Sequence, residues 1–163
     1  MTTHTVFLLL GANLGDRAAT LHRALETIRI DLGPVLEQSA LYETAAWGIT
    51  DQPAFLNQVL KVLSVFPPEE ILQKTQAIEN RLGRIRREKW GSRLIDIDLL
   101  YVDDHIQRSE TLILPHPFLH ERRFTLVPLT EIAPAFIHPV LRKTNQQLLA
   151  ECPDTGEVSR WQG

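Results

Sequence analysis

Asp96 and Asp98 stand two positions apart in the run RLIDIDLLYV, residues 93–102. Val, Ile, Leu and Tyr dominate the run, and β-branched and aromatic residues suit a pleated strand. In a strand, residues i and i+2 point to the same face. The two carboxylates therefore stand side by side, with Ile95, Ile97 and Leu99 on the other face. An Asp-x-Asp can be no more than two solvated surface charges. In mid-strand, however, like charges repel and require positive charge between them. A hard divalent cation such as Mg²⁺ supplies it, binding carboxylate oxygens together with substrate phosphates and keeping several waters. Two such carboxylates can hold one ion or bridge two, as in two-metal phosphoryl transfer.

The residues just upstream point the same way. Arg81, Arg84, Arg86, Arg87, Lys89 and Arg93 are set against a single acid, Glu88. Such a run can be a solvated basic loop. Beside an acidic pair of the Mg²⁺ type it is also what a polyphosphate needs, because arginine offers planar bidentate donors to phosphate oxygens. A loop can close over its substrate and exclude water, which protects a phosphoryl group from hydrolysis. No GxxxxGK[ST] and no GxGxxG occurs, and GANLGD, residues 11–16, is too short and lacks lysine. P-loop and protein-kinase chemistry are thereby excluded.

The elements that must position these groups can be read from periodicity. TVFLLLGAN predicts a buried strand of about five or six residues ending at Gly11. The next segment has apolar residues near helical spacing at Leu21, Leu25, Ile28 and Leu32, with Asp16 at its start and Gly33-Pro34 as its stop. Residues 35–44 alternate as a second strand, and the segment around Phe55–Val62 as a third. Pro67-Pro68 opens a second helix that ends at Gly83, placed where a C′ glycine belongs. The Asp-bearing strand follows, then a short strand near Ile106. Short helices are expected near Phe118–Arg122 and Phe124–Ile132, with a last short helix and a frayed end from about Lys143. The order β-α-β-β-α-β predicts an α+β protein with a ferredoxin-like split β-α-β core, an antiparallel sheet with helices packed on its faces. A ligand site fits between the sheet and the later Pro-punctuated segments.

Bulk properties set outer bounds. The chain has 163 residues, 44% hydrophobic and 23% charged, which fits one domain over residues 1–163. A net charge of −3 does not suggest a nucleic-acid binder. No window approaches the roughly 18 apolar residues of a membrane span, and the N-terminus lacks a signal-peptide pattern. Cys152 is the only cysteine, compatible with a reducing cytoplasm. The expectation is a cytoplasmic monomer that binds neither nucleic acid nor membrane.

The segment QAIENRLGRIRREKWGSRLIDIDLLYV resembles the signature of the 6-hydroxymethyl-7,8-dihydropterin pyrophosphokinases of folate biosynthesis. Gly83-Arg84, the basic loop, Trp90-Gly91-Ser92-Arg93 and Asp96-Ile97-Asp98 stand in that family's order. LGANLGD, DQPAFLN, LPHPFLHERRF and PLTEIAP resemble further family segments, so the likeness runs over about residues 5–140. The resemblance implies transfer of the β,γ-diphosphate of ATP to the pterin hydroxymethyl group with release of AMP, assisted by two Mg²⁺ ions.

Carried onto this chain, the resemblance makes Asp96 and Asp98 the metal ligands, and Arg84, Arg93, Asp96 and Asp98 the catalytic set. It gives ATP the residues Gln76, Glu79, Arg84, Trp90, Arg93, Ile97, His116 and Arg122. It gives the pterin Phe55 and Phe124 as stacking faces, Asn57 at the ring edge, backbone groups near Thr44 and Ala46, and Asp96. Two departures stand out. Phe55 replaces a frequent tyrosine, which keeps the stack without the hydroxyl. Lys89 replaces a frequent arginine, giving a point charge for a bidentate donor. Without the resemblance, Phe55 and Phe124 would read as core residues and His116 as a loop histidine. Two other classes share parts of the pattern: an RNA-binding split-βαβ module and a metal-dependent nuclease or phosphatase. The acidic balance opposes the first, and the paired phenylalanines have no use in the second.

Overall fold

The structure, a computed structural model, describes residues 2–44, 53–83 and 94–163. Its centre is β1, His4–Ala12, a strand buried on both faces from Val6 onward. It is longer than the apolar run alone predicts. Asp103 fixes its start, accepting from the Thr5 N–H at 2.8 Å and pairing with His4 Nδ1 at 2.7 Å. Antiparallel to β1 lie β4, Phe55–Ser64, on one side and β5, Asp96–Val102, on the other.

Residues 35–44, expected as one strand, form two. β2, Val35–Gln38, and β3, Tyr42–Thr44, share the outer edge of β4. Gln38 faces Leu60 and Tyr42 faces Asn57, so the broken strand takes one more step than its partner. The break at Ser39 is held by side chains. Val59 N–H donates to Ser39 Oγ at 3.0 Å and Gln58 Nε2 donates to Ser39 O at 2.9 Å.

Helix α1, Arg17–Asp31, is capped by Asp16, whose side chain accepts from Ala19 N–H at 3.1 Å. It buries Leu21, Ala24, Leu25 and Ile28, spaced i, i+3, i+4, i+7. Helix α2, Pro68–Leu82, begins with Pro68, Glu69 and Glu70 and buries Ile71, Thr75 and Ile78. Gly83 does not adopt the left-handed conformation of a C′ glycine. It is the C-cap at φ −88, where a Cβ would come within 3.0 Å of the Glu79 carbonyl.

Both helices cover one face of the sheet, packing on Leu8, Leu10, Ile95, Ile97 and Leu99. Helices α3, Arg123–Ile132, and α4, Asn145–Ala150, cover part of the other, with Leu126, Leu129 and Leu148 against Phe7, Leu9, Val59, Leu100 and Tyr101. A bulge serves this second core. Phe7 faces Tyr101 and Leu8 faces Leu99, so Leu100 is the extra residue of β5. Tyr101 donates its hydroxyl to Asn145 Oδ1 at 2.8 Å, and Asn145 Nδ2 donates to Ala133 O at 2.9 Å. Burial pushes the Tyr101 hydroxyl pKa up. β6, Gln107–Arg108, and β7, Ile113–Leu114, form a small hairpin beyond β5.

The tail is not a frayed end. After α4 it returns as β8, Val158–Arg160, paired antiparallel with β3. Side chains hold it there: Arg160 reaches Glu131 at 3.6 Å, and Trp161 packs on the first core beneath the guanidinium of Arg17. The strand order is β5-β1-β4-β3-β8, with β2 also on β4.

Candidate active site

The second face of the sheet is left open at one end, and the acidic pair stands there. Asp96 faces Gly11 across the ladder and Gly11 faces Asn57, while Asp98 faces Leu9. Residues directly opposite in an antiparallel pair share a face. One row therefore runs Asp96–Gly11–Asn57 over three strands. Gly11 keeps that row open, since a Cβ there would lie 2.7 Å from Asn57 Nδ2. Asn57 is buried and donates from Nδ2 to Leu10 O at 3.2 Å. Its Oδ1 and the Oγ1 of Thr44 are buried with no hydrogen-bond partner among the described residues. Buried acceptors of this kind are costly unless something donates to them.

Above the row lies a cavity of about 560 Å³, walled by Thr44 and Phe55 on the sheet side. Phe118, Glu121, Arg122, Phe124 and Asp154 form the opposite wall. The size and the mostly apolar walls with a few convergent polar groups suit a small organic ligand. The Arg122 guanidinium lies 5.2 Å from the Phe118 ring centre and 5.7 Å from that of Phe124. A second cavity of about 350 Å³ lies on the far side of β5, between α2 and the β6–β7 hairpin. Gln76, Glu79, Ile97 and His116 line it, and Asp98 lines both cavities. The acidic pair thus stands where two binding spaces meet.

Local bonds fix the second space. Glu79 Oε2 accepts from the Ile97 N–H at 2.7 Å, tying α2 to the start of β5. His116 donates its backbone N–H to Leu100 O at 3.0 Å, and its Nδ1 accepts from Phe118 N–H at 3.1 Å. A neutral ring that accepts at Nδ1 carries its proton on Nε2, leaving that nitrogen a donor. Burial, with the nearby Arg122 charge, lowers the His116 pKa to about 4, so the ring is neutral near pH 7.

His138 behaves alike. Burial and the neighbouring His120 lower its pKa to about 4, and its Nδ1 accepts from Val140 and Leu141 N–H. Both values lie below the ordinary 6.5, so the unfolded chain binds more protons between about 4 and 6.5. Stability is then fully present above that window and lost as pH falls through it. The melting temperature is expected to fall steadily from pH 7 to pH 5, and His138→Gln to shallow that slope. A flat profile for the parent chain would contradict both assignments.

The residues expected from the sequence fall into two groups. Thr44, Phe55, Asn57, Asp96 and Phe124 gather in the first cavity. Gln76, Glu79, Ile97 and His116 gather in the second. Arg122, expected with the ATP group, lines the first cavity instead, held between two phenylalanine rings. Arg84, Trp90, Arg93 and Ala46 lie outside the described residues. Sequence reasoning missed Gly11, Phe118, Glu121 and Asp154. A lone glycine late in a strand is a usable signal for Gly11; Phe118 and Glu121 lie within the segment LPHPFLHERRF, and Asp154 carries no signal.

An α+β sheet with a carboxylate pair between a phenylalanine-lined cavity and a polar cleft suits the class of enzymes that bring two small ligands together. Comparison with known proteins narrows the class. Residues 7–134 match the family model of 7,8-dihydro-6-hydroxymethylpterin-pyrophosphokinase. The chain is 43% identical over 147 residues to the 2-amino-4-hydroxy-6-hydroxymethyldihydropteridine pyrophosphokinase of Aquifex aeolicus, covering 90% of this chain and 91% of that protein. It is 41% identical over 151 residues to the enzyme of the same name from Methylorubrum extorquens, covering 92% and 94%. Among solved structures, the wild-type HPPK-DHPS of Plasmodium falciparum superposes with a TM-score of 0.75 at 18% identity. That match covers 92% of this chain and 45% of the longer one, and it bears on the fold alone. The chain belongs to the 7,8-dihydro-6-hydroxymethylpterin-pyrophosphokinase family, and it is an ATP-dependent diphosphokinase of folate synthesis.

Proposed function

We infer that the chain moves the β,γ-diphosphate of ATP onto the hydroxymethyl oxygen of 6-hydroxymethyl-7,8-dihydropterin, releasing AMP, as a cytoplasmic monomer. The observation that carries this reading is the acidic pair at the junction of two unlike cavities. The first suits a flat heteroaromatic ring. Phe55 and Phe124 would take its faces, each stack contributing about 0.5–1.5 kcal/mol beyond burial. The partnerless Asn57 Oδ1 and Thr44 Oγ1 would accept from its edge, with backbone near Ala46 adding contacts. The second cavity would take the nucleotide, with Gln76, Glu79 and Ile97 on one wall and His116 offering its Nε2 proton to a phosphate oxygen.

Asp96 and Asp98 fit Mg²⁺, and two ions are proposed. Among the described residues no group of three or more His, Cys, Asp or Glu is arranged to hold a metal. A two-carboxylate site leaves positions for water and substrate phosphate, which is the usual Mg²⁺ arrangement. Bound there, the ions would neutralise phosphate charge. The protein's share is positioning and electrostatics. With the two cavities meeting at Asp98, bound substrates would have the acceptor oxygen and the β-phosphorus close to one another. Arg122 would supply positive charge from the pterin side, and Arg84 and Arg93 from the basic loop, with Trp90 beside the nucleotide, by the motif they match. Asp98 is read as a ligand before a base. No nucleic acid or membrane enters this reading, and no helix among the described residues is long and apolar enough to cross a membrane.

The test is an AMP-release assay with ATP, Mg²⁺ and 6-hydroxymethyl-7,8-dihydropterin, each omitted in turn. AMP is expected only when all three are present, and EDTA should abolish it. AMP that forms without the pterin, or ADP in its place, would overturn the reading.

A further inference from the structure

The wall of the first cavity includes a residue from the far end of the chain. Asp154 lies in the tail between α4 and β8, beyond the residues matched by the family model. It is half-buried, while Pro153, Thr155 and Gly156 around it are exposed. Both of its carboxylate oxygens are engaged. Oδ1 accepts from Gly156 N–H at 2.8 Å, folding the tail into a tight turn. Oδ2 accepts from Arg123 N–H at 3.1 Å, across 31 positions of sequence.

Arg123 is the first residue of α3. A helix start leaves backbone N–H groups without partners, and a side-chain oxygen commonly satisfies one of them. Here the residue at the N-cap is Arg122, which makes no capping bond. The tail therefore supplies the cap that α3 lacks. Its carboxylate also carries the charge that suits a helix N-terminus.

The residue after Arg123 is Phe124, one face of the aromatic slot. Farther on, the tail pairs with β3, where Val158 faces Thr44. One short segment thus ties the Phe124 wall to the Thr44 wall on opposite sides of the cavity. We propose that Asp154 is a positioning residue for the pterin. By capping α3 at Arg123 it sets the separation between Phe124 and the sheet, and so the width of the slot. This rests on the pterin reading of the first cavity. The effect should be selective, since the second cavity is built from α2, β5 and the hairpin and touches neither the tail nor α3.

The experiment compares Asp154→Ala and Asp154→Asn with the parent enzyme in the AMP-release assay, titrating pterin and ATP separately. Lys143→Ala, which removes only an exposed pair with Glu151, controls for mild destabilisation. Asp154→Ala is expected to raise the pterin KM by about tenfold, with the ATP KM within about twofold. Asp154→Asn keeps one accepting oxygen and should recover most of the loss. Lys143→Ala should leave both constants unchanged. A pterin KM within about twofold of the parent in Asp154→Ala overturns the proposal. So does a parallel rise of both KM values with a fall in melting temperature, which is the mark of a merely structural cap. If the parent enzyme itself makes no pterin-dependent AMP, the functional reading fails first. If the parent works and Asp154→Ala matches it, only the role of Asp154 fails.

Discussion

Asp98→Ala is expected to lower turnover by at least about a thousandfold, and Asp96→Ala to do nearly the same, because each removes half of the pair proposed to hold Mg²⁺ against the transferring phosphate. The pair faces Leu9 and Gly11 at the open end of the sheet, so each substitution trims the wall of a cavity and leaves both cores intact. The two variants should differ in what else they disturb. Asp98 lines both cavities, whereas Asp96 lines only the first. Asp98→Ala should therefore weaken Mg²⁺-dependent binding of ATP more strongly, and Asp96→Ala should add a larger pterin defect. Single-turnover AMP formation and a Mg²⁺ titration measure both quantities. Turnover within about tenfold of the parent in either variant would remove that carboxylate from the metal assignment.

Gly11→Val should abolish use of the pterin while leaving the nucleotide half of the site alone. Valine suits a central strand better than glycine does, so backbone propensity does not oppose the change. The obstacle is the row across the sheet. A Cβ at residue 11 would already stand 2.7 Å from Asn57 Nδ2, and the added methyls would fill the floor between Asn57 and Asp96. Asn57 would have to leave the Leu10 carbonyl it now holds. The pterin KM is expected to rise by about a hundredfold or more, the scale of a misplaced substrate. Binding of a non-hydrolysable ATP analogue should be unchanged. A pterin KM within about threefold of the parent would show that Gly11 does not form the floor of the slot.

Much of this arrangement could be read from the sequence, because strict periodicities specify it. The alternation in β5 puts Asp96 and Asp98 on one face, and the 3.6-residue spacing of Leu21, Leu25 and Ile28 sets the buried side of α1. Length and partners were harder. β1 outruns its apolar core because Asp103 holds its first residues, a contact between distant positions. Residues 35–44 alternate well enough for one strand, and only Gln58 and Ser39 of the folded sheet reveal the break. The three residues of β8 carry no pattern that marks a strand; the open edge of β3 gives them their partner. In the site, residue types with a narrow use converge: the acid pair, Phe55, Phe124 and the Asn57 amide all line the first cavity. Arg122 lines the first cavity rather than the second, a placement that depends on how Phe118 and Phe124 flank it and that no sequence pattern encodes.

The row that joins Asp96, Gly11 and Asn57 also bears on how the molecule comes to be active. Its members belong to β5, β1 and β4, and the slot above it adds α3 and the tail. All of these contacts are remote in sequence, and remote pairings form late because closing long loops is entropically slow. A half-folded chain would have its helices well before it had a site. It would not bring the acidic pair to the mouth of both cavities, so it would not squander nucleotide on water while it matured. Catalysis in this architecture needs the completed sheet, so recovery of activity after denaturation is expected to follow the last strand pairings rather than the first helices.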